Sequence, residues 1–328
     1  MLPEALLRSV ADGCVVTRAD LGQDLGVSQA ELARQLDLLR ATGVELEDAG
    51  DDSLRLALPI QWLELAAIEV LLAPATLERV SRVECLFEIE STNRYLLDGP
   101  APDDGRCCIA IAEHQFGGRG RNGRQWKMPP GAGIALSASW RFADPPQDLS
   151  TFGLAVGAVA RRAIAKFADV GIGLKWPNDL IAADRKLGGV LVELARLGDG
   201  ATHVVAGIGL NVSLPVNYLG EVGNRHHAAR NIADRNGSLP DRNRLAAALI
   251  TQLVTLFTEF ADTGFGPYRE EWLAAHVLDG KIVELETAAG IDVGRVVGIG
   301  SDGALLVEND ARATRRFVSA DVSVRSSR

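Results

Sequence analysis

The sequence predicts an α+β protein in three parts: an N-terminal winged helix-turn-helix, a central mixed α/β unit and a small C-terminal β-barrel-like piece. Three observations carry that expectation. Within the first 60 residues, two short helical patterns joined by a glycine turn precede hairpin-like letters. Strand-like and helix-like segments then alternate from residue 83 to about residue 268. After residue 275 the pattern changes to short strands separated by glycine turns. A chain of 328 residues has room for two or three domains of roughly 100–200 residues each.

The elements follow in order. Leu2, Ala5, Leu6 and Val10 recur at helical spacing, and Gly13 ends that segment. Thr17-Arg18-Ala19-Asp20 has the form of a capping box and opens a short helix with Leu21 and Leu25. Gly26-Val27-Ser28 makes a turn, and Ser28 caps a third helix carrying Leu32, Leu36 and Leu39 up to Gly43. Residues 44–47 and 53–56 flank a turn and read as the hairpin of a wing. A helix-like apolar stretch, 62–72, leads into the central unit. There, residues 107–112, 133–139, 180–182, 189–194 and 203–209 look like strands, and 152–169 and 244–262 like amphipathic helices. The last strands are expected at 281–286, 294–299, 304–307, 317–318 and 322–325. The domain boundaries that follow are 1–62, 63–275 and 276–328.

Composition narrows the function classes. Hydrophobic content of 47% with 23% charged residues is that of a globular protein. A net charge of −9 argues against coating nucleic acid as the main task of the whole chain. The first 60 residues hold five arginines, no lysine and eleven acids, a formal balance of −6. DNA binding rests on neutralising phosphates, so Gln29, Arg34, Gln35 and Arg40 on the third helix are candidate DNA contacts in an unfavourable field. A relic scaffold or an interaction module is the competing reading of this unit. No export signal and no run of 18 apolar residues is evident, so a cytoplasmic protein that does not span a membrane is expected. Cys14, Cys85, Cys107 and Cys108 form no C-x-x-C pattern, and the adjacent pair reads as small buried thiols.

Four clusters in the central unit carry the candidate chemistry. In residues 118–124 three arginines alternate with three glycines, and Trp126 closes the run. Glycine permits close backbone approach and arginine supplies a planar fork for carboxylate or phosphate oxygens. The pattern suggests a loop over a small anionic ligand, although a solvated basic loop has similar letters. Glu90-Ser91-Thr92-Asn93 precedes a helix-like segment, where the hydroxyls either cap the helix or reach a ligand. Lys175-Trp176-Pro177-Asn178-Asp179 is followed by Lys186-Leu187-Gly188-Gly189. Gly207-Ile208-Gly209-Leu210-Asn211 lies where a strand is expected to end. Lys175 and Asp179 are alternatively a structural ion pair, Trp176 and Pro177 core packing, and His226-His227 a surface pair rather than a metal site.

Taken jointly, the clusters resemble biotin–protein ligases. Ser91-Thr92-Asn93, Gly118-Arg119-Gly120-Arg121-x-Gly123-Arg124-x-Trp126, Lys175-Trp176-Pro177-Asn178-Asp179, Lys186-Leu187-x-Gly189 and Gly207-x-Gly209-x-Asn211 occur in that family's order. The arrangement is similar to the two-function bacterial type, which is both a biotin operon repressor and a biotin–[acetyl-CoA-carboxylase] ligase. The likeness spans nearly the whole chain, is most specific in residues 90–211, and includes Gly303-x-Leu305-x-Val307 and residues 321–325 near the end. It implies a catalytic domain of the biotin/lipoate ligase type and an SH3-like C-terminal barrel. It further implies formation of biotinyl-5′-adenylate from biotin and MgATP, then transfer to a lysine of the biotin carboxyl carrier protein of acetyl-CoA carboxylase.

On that resemblance, Lys186 and Arg121 are catalytic, and Lys186 stabilises charge on the reacting carboxylate and phosphoryl oxygens. Ser91, Thr92, Asn93, Gln115, Arg119, Gly120, Arg121 and Lys186 bind biotin. Arg121, Arg124, Trp126, Lys175, Asn178 and Asn211 hold the adenylate, and Asp179 the magnesium ion. Operator DNA and a homodimer formed with adenylate are further implied partners. Two rival readings share features with this one: a lipoate-type protein ligase, and a ligand-sensing transcriptional regulator with little ligase activity. The chain departs from the family pattern in residues 214–229, which lack an aromatic in their second half where the repressor type places a tryptophan over adenine.

Overall fold

The computed structural model describes residues 1–50, 52–168, 171–215, 218, 229, 231–232, 238–287 and 290–324. At the N-terminus, helices α1 (Glu4–Ser9), α2 (Arg18–Leu25) and α3 (Gln29–Ala41) pack with a three-stranded antiparallel sheet. Its strands are β1 (Val16–Thr17), β2 (Leu46–Asp48) and β3 (Ser53–Leu56), in the order β1-β3-β2. The caps lie where the spacing put them: the Thr17 hydroxyl accepts from the Asp20 N–H, and the Ser28 hydroxyl from the Glu31 N–H. Gly26, at φ +63°, closes α2 in the left-handed conformation that glycine adopts without steric cost. Leu6, Leu21, Leu32, Leu36, Leu39 and Leu54 fill the core of this unit.

After a connecting segment come α4 (Leu65–Leu71) and α5 (Pro74–Leu77). The helix expected over 62–72 therefore begins only at Leu65, because residues 61–64 are non-helical and tied down by polar contacts described below. A seven-stranded mixed sheet forms the middle of the molecule. Its strands are β4 (Val80–Ile89), β5 (Cys107–Gln115), β6 (Gly133–Phe142), β7 (Ile172–Lys175), β8 (Asp179–Ala182), β9 (Arg185–Arg196) and β10 (Thr202–Asn211). They lie in the order β4-β5-β6-β10-β9-β8-β7, with β4 and β5 parallel and every other pair antiparallel.

Alternation along β5 divides the layers. Cys107, Ile109 and Ile111 face the main core, while Cys108 and Ala110 face α6 (Thr92–Asp98) on the other side. Both thiols are buried, and burial pushes the Cys107 thiol well above its ordinary pKa. The main core is built by α7 (Phe152–Ile164), α8 (Arg242–Thr263) and α9 (Gly266–Ala274). In it Trp140 stacks on Phe257 at 5.7 Å, and Phe152 meets Phe260 edge-on at 4.9 Å. By length and composition α8 would suffice to cross a membrane, yet here its apolar face, from Leu245 to Phe260, is spent on this core.

The C-terminal strands are β11 (Ile282–Thr287), β12 (Gly290–Ile299), β13 (Leu305–Glu308), β14 (Thr314–Phe317) and β15 (Asp321–Val324). They form an antiparallel sheet in the order β14-β13-β12-β11-β15. Its apolar face joins the main core, in which one continuous cluster runs from Leu63 to Val322. The junction is sealed by Trp272, against which His276 lies with ring centroids 4.7 Å apart, and by Trp176, whose indole N–H donates to the Gly303 carbonyl at 3.0 Å.

Several expectations need correction. β14 lies at 314–317 instead of 317–318, since Arg315 and Arg316 carry exposed ion pairs on a strand that otherwise reads as polar turn. α7 ends at Ile164, five residues short of the expected 169. β7 was hidden by its glycine: a Cβ on Gly173 would sit 2.1 Å from Val277 Cγ1, so the close contact excludes a β-branched residue, the kind that announces strands, at that position. Gly207 and Gly209 are inside β10, not at its end.

Beneath the middle of the molecule lies a buried ion pair between Arg242 and Glu113, 2.7 Å apart, with both side chains at most 5% exposed. Arg242 also donates to the carbonyls of Gln61 and Gly133. Glu113 accepts from the Leu63 N–H at 2.6 Å, and Asn243 bonds the backbone of Trp62 and Glu64. This hub fixes the connection between the N-terminal and central units. It also holds the ends of β5 and β6, between which residues 116–132 project.

Candidate active site

The projecting loop covers one wall of a cavity of about 710 Å³. The other walls come from α6, the inner faces of β6, β9 and β10, the β7–β8 turn, and the edge of the C-terminal sheet at Asp321 and Val322. Among the described residues, six cationic side chains line it (Arg119, Arg121, Arg124, Lys127, Lys175 and Lys186) against three acids, Asp179, Glu286 and Asp321. In a chain of net charge −9, such local positive excess marks a site for an anion.

Each side chain is placed by local structure. Ser91 caps α6, its hydroxyl accepting from the Arg94 N–H, and this delivers Thr92 and Asn93 to the cavity at only 3% and 4% exposure. Gln115 ends β5, and its Oε1 accepts from the Thr92 N–H at 2.7 Å. Lys186 is the second residue of β9, which follows a two-residue turn in which Ala183 and Asp184 are both left-handed, at φ +45° and +58°. Its ammonium lies 2.6 Å from Asp179 Oδ1 and 5.9 Å from the centroid of the Trp126 ring. The sequence left Lys175–Asp179 as a possible pair; in the structure the short ion pair of Asp179 is with Lys186. Burial depresses the pKa of Lys175, and the Asp179 charge works against that shift.

Gly207 and Gly209 make room for two of the chain's own side chains. A Cβ on Gly207 would fall 2.1 Å from Asn93 Oδ1, and one on Gly209 2.5 Å from the Trp126 indole. Trp126 is thereby laid against the strand. Its Nε1, like Asn211 Oδ1, is buried with no hydrogen-bond partner among the described residues. Asn211 Nδ2 donates to the Lys186 carbonyl, and Asn178 Nδ2 to that of Val190, so both amides brace the strand that carries Lys186.

The loop arginines have partners within the chain. Arg119 pairs with Glu90 at 3.2 Å, Arg121 donates to Ser319 Oγ at 3.2 Å, and Arg124 pairs with Asp321. Two of the three thus tie the loop to the C-terminal sheet. Burial depresses the Arg121 pKa, with Asp321 and Asp179 opposing the shift.

Elsewhere, the candidate DNA contacts are on α3 away from this cavity. Gln29 and Arg34 are exposed, but Arg34 is paired with Glu31 at 2.8 Å, Gln35 donates to the same carboxylate, and Arg40 pairs with Asp37. His226 and His227 lie outside the described residues, as does most of the 214–229 stretch; within it Tyr218 reaches the cavity and donates to the Thr42 carbonyl at 3.3 Å.

Several cavity residues have no counterpart among the sequence candidates, and one of them joins the polar wall. Ser137, fully buried on β6, joins Thr92 and Asn93 through hydrogen bonds of 2.7 Å each. The available signal was a serine at i and i+2 (Ser137, Ser139) in an otherwise apolar strand, placing two hydroxyls on one face.

Comparison with known proteins agrees with this geometry. The model of the biotin/lipoate A/B protein ligase family matches residues 88–211, and that of the biotin protein ligase C terminal domain matches residues 280–325. The chain is 33% identical over 327 residues to the bifunctional ligase/repressor BirA of Escherichia coli, covering 99% of this chain and 98% of that one. It is also 33% identical to the biotin--[acetyl-CoA-carboxylase] ligase of Mycobacterium tuberculosis, over 67% of this chain and 79% of that one. A biotin protein ligase from Aquifex aeolicus, solved with biotin and ATP, shares the fold with a TM-score of 0.59 at 23% identity, covering 75% of this chain and all of that one. The two matched segments fall on opposite walls of one cationic cavity, and the full-length identity spans both: the chain belongs to the biotin protein ligases of the biotin/lipoate A/B protein ligase family.

Proposed function

We propose that the cavity activates biotin with ATP and passes it to a carrier-protein lysine. The observation that carries this reading is the convergence of a largely buried polar wall, Thr92, Asn93, Gln115 and Ser137, with the cationic group around Lys186 in one cavity. The polar wall suits the ureido head of biotin, whose burial without partners would cost several kcal/mol, roughly 2–7. The cations suit the opposite end of the ligand. A carboxylate oxygen attacks the α-phosphorus, the bond to the β-phosphate breaks, and pyrophosphate leaves. Two anions are brought together in that step, and Lys186, Arg119 and Arg121 are the fixed charges that offset their repulsion. A lysine amine of the carrier protein then attacks the acyl carbon, an amide forms, and AMP departs with the proton passing to solvent.

Trp126, Arg124, Lys175, Asn178 and Asn211 surround the nucleotide in this reading. Asp179, which lines the cavity, is an oxygen donor that fits magnesium entering with the phosphates, since that ion prefers one or two carboxylates plus phosphate oxygens. The ion supplies charge neutralisation at the phosphates. We assign the boundaries 1–62, 63–275 and 276–328, with a winged helix-turn-helix first and an SH3-like sheet last. The N-terminal unit reads operator DNA through Gln29, Arg34 and Gln35 on α3, in a cytoplasmic protein that dimerises when adenylate is bound. Because Arg34 already has an acidic partner, few phosphates are neutralised, and a shallow salt dependence of binding is expected.

The deciding experiment incubates the protein with biotin, ATP and an acceptor carrier domain, and looks for biotinyl-lysine by mass spectrometry. Its absence overturns the assignment. Thermal shifts with biotin and with lipoate separate the lipoate-type alternative. Gel shifts on the promoter of biotin-synthesis genes, with and without adenylate, test the repressor role, and binding that ignores ligand counts against it.

A further inference from the structure

Behind the polar wall sits a carboxylate that does not line the cavity. Glu193 is on β9, opposite Val205 of β10, and its Oε2 accepts from Asn93 Nδ2 at 2.8 Å. The same amide nitrogen donates to the Leu191 carbonyl at 3.2 Å. An ionised carboxylate and a carbonyl are acceptors only. Together they fix which end of the Asn93 amide is NH2 and which is oxygen. Asn93 Oδ1 then faces Ser137, whose hydroxyl donates to it at 2.7 Å. With its single proton committed, Ser137 Oγ can only accept from Thr92 Oγ1, whose one hydroxyl proton is shared between Ser137 Oγ at 2.7 Å and Gln115 Oε1 at 3.0 Å.

We propose that Glu193 is a positioning residue: by holding the Asn93 amide in one orientation it sets the order of donors and acceptors along the cavity wall, and so selects the polar head of the ligand. This rests on the ligase reading only for the identity of that head as a ureido group. Were the amide reversed, its oxygen would face both the Glu193 carboxylate and the Leu191 carbonyl, and its NH2 would compete with the Ser137 proton. Thr92, Asn93 and Ser137 are 3%, 4% and 0% exposed, so a mismatched bond among these three is costly. Gly207, where any Cβ would collide with Asn93 Oδ1, leaves the amide its room against β10.

Three variants test this. Glu193→Gln keeps an oxygen acceptor and is expected to stay within about threefold of the parent in KM for biotin. Glu193→Met removes the acceptor and is expected to raise that KM about 10- to 100-fold, the scale of one charge-assisted hydrogen bond, with kcat within about threefold. Glu193→Lys presents a donor, favours the reversed amide, and is expected to raise KM the most. A residue that merely supported the strand would lower the melting temperature and kcat without that order. The second readout is independent of catalysis. In protein labelled with 15N-asparagine, the Asn93 side-chain NH2 signal, identified by its loss in Asn93→Ser, is expected to resist hydrogen exchange in the parent and in Glu193→Gln but not in Glu193→Met. Equal protection in all three, or KM unchanged in both Glu193→Met and Glu193→Lys, overturns the proposal. Failure of the parent to make biotinyl-lysine would instead count against the ligase reading, and the exchange measurement would still decide the role of Glu193.

Discussion

Replacing Arg242 by methionine tests the buried hub directly. The substitution keeps much of the aliphatic volume while deleting the guanidinium that pairs with Glu113 and donates to Gln61 and Gly133. Glu113 would keep one partner, the Leu63 N–H at 2.6 Å, but lose the countercharge that faces it. Breaking a buried pair by removing one member costs about 3–5 kcal/mol, because the remaining charge stays desolvated. Glu113→Gln alone retains an acceptor for Leu63 and is expected to cost about 1–3 kcal/mol. The double variant Glu113→Gln/Arg242→Met removes both charges of the pair, so it is expected to fall short of the summed losses by about 2 kcal/mol. Urea unfolding followed by tryptophan fluorescence measures all three, since Trp62 accepts a hydrogen bond within the same polar group. Additivity within about 0.5 kcal/mol would refute the idea that these residues act as a coupled pair.

Other expectations concern the cavity and the C-terminal junction. Lys186→Ala should slow adenylate formation by about 10²- to 10³-fold, the loss typical of one transition-state donor, and pyrophosphate release assays would expose a near-normal rate. Gly209→Ala places a Cβ 2.5 Å from the Trp126 indole and should weaken ligand binding by about 1–3 kcal/mol, read as a reduced biotin-dependent thermal shift; an unchanged shift would mean the ring does not wall the ligand. His276 is held neutral by burial, its pKa pushed down to about 4 from the ordinary 6.5. The unfolded chain therefore binds the proton first, and stability is lost as pH falls from about 6.5 towards 4, by up to about 3 kcal/mol. In His276→Leu that part of the slope should vanish when urea midpoints at about pH 5 and about pH 7.5 are compared. Asp321→Asn removes the carboxylate that holds Arg124 and should speed tryptic cleavage within residues 119–124 in ligand-free protein; an unaltered rate would argue that the pair does not restrain the loop.

Local chemistry was the legible part of this molecule. Thr17, Ser28 and Ser91 cap helices because a hydroxyl three residues before a free N–H is information contained in four letters. The candidate cluster was legible for a related reason: Ser91-Thr92-Asn93, the arginine loop and Lys186 sit in short contiguous motifs, and the sheet order brings them to one cavity. Partners remote in sequence were not. Nothing near Arg124 announces Asp321, 197 residues away, and nothing near Glu113 announces Arg242. Glu193 reads as an ordinary polar position of an alternating strand, since its role depends on an amide 100 residues earlier. β7 was hidden because its glycine serves a close contact with Val277, a packing need that overrides strand propensity.

The pairing of the cavity cations has a consequence for how the site responds to a ligand. Arg119 is matched by Glu90, Arg124 by Asp321 and Lys186 by Asp179. At these three positions an incoming carboxylate or phosphate takes the place of a resident carboxylate, as in ion exchange on a resin. Apparent affinity becomes the difference between two sets of ion pairs, which leaves it less sensitive to added salt than an open cationic cleft of the same charge. Each exchange also releases an internal anion beside the newcomer. At Asp321 that repulsion acts on the edge strand of the C-terminal sheet to which the loop is tied, 197 residues along the chain from Arg124.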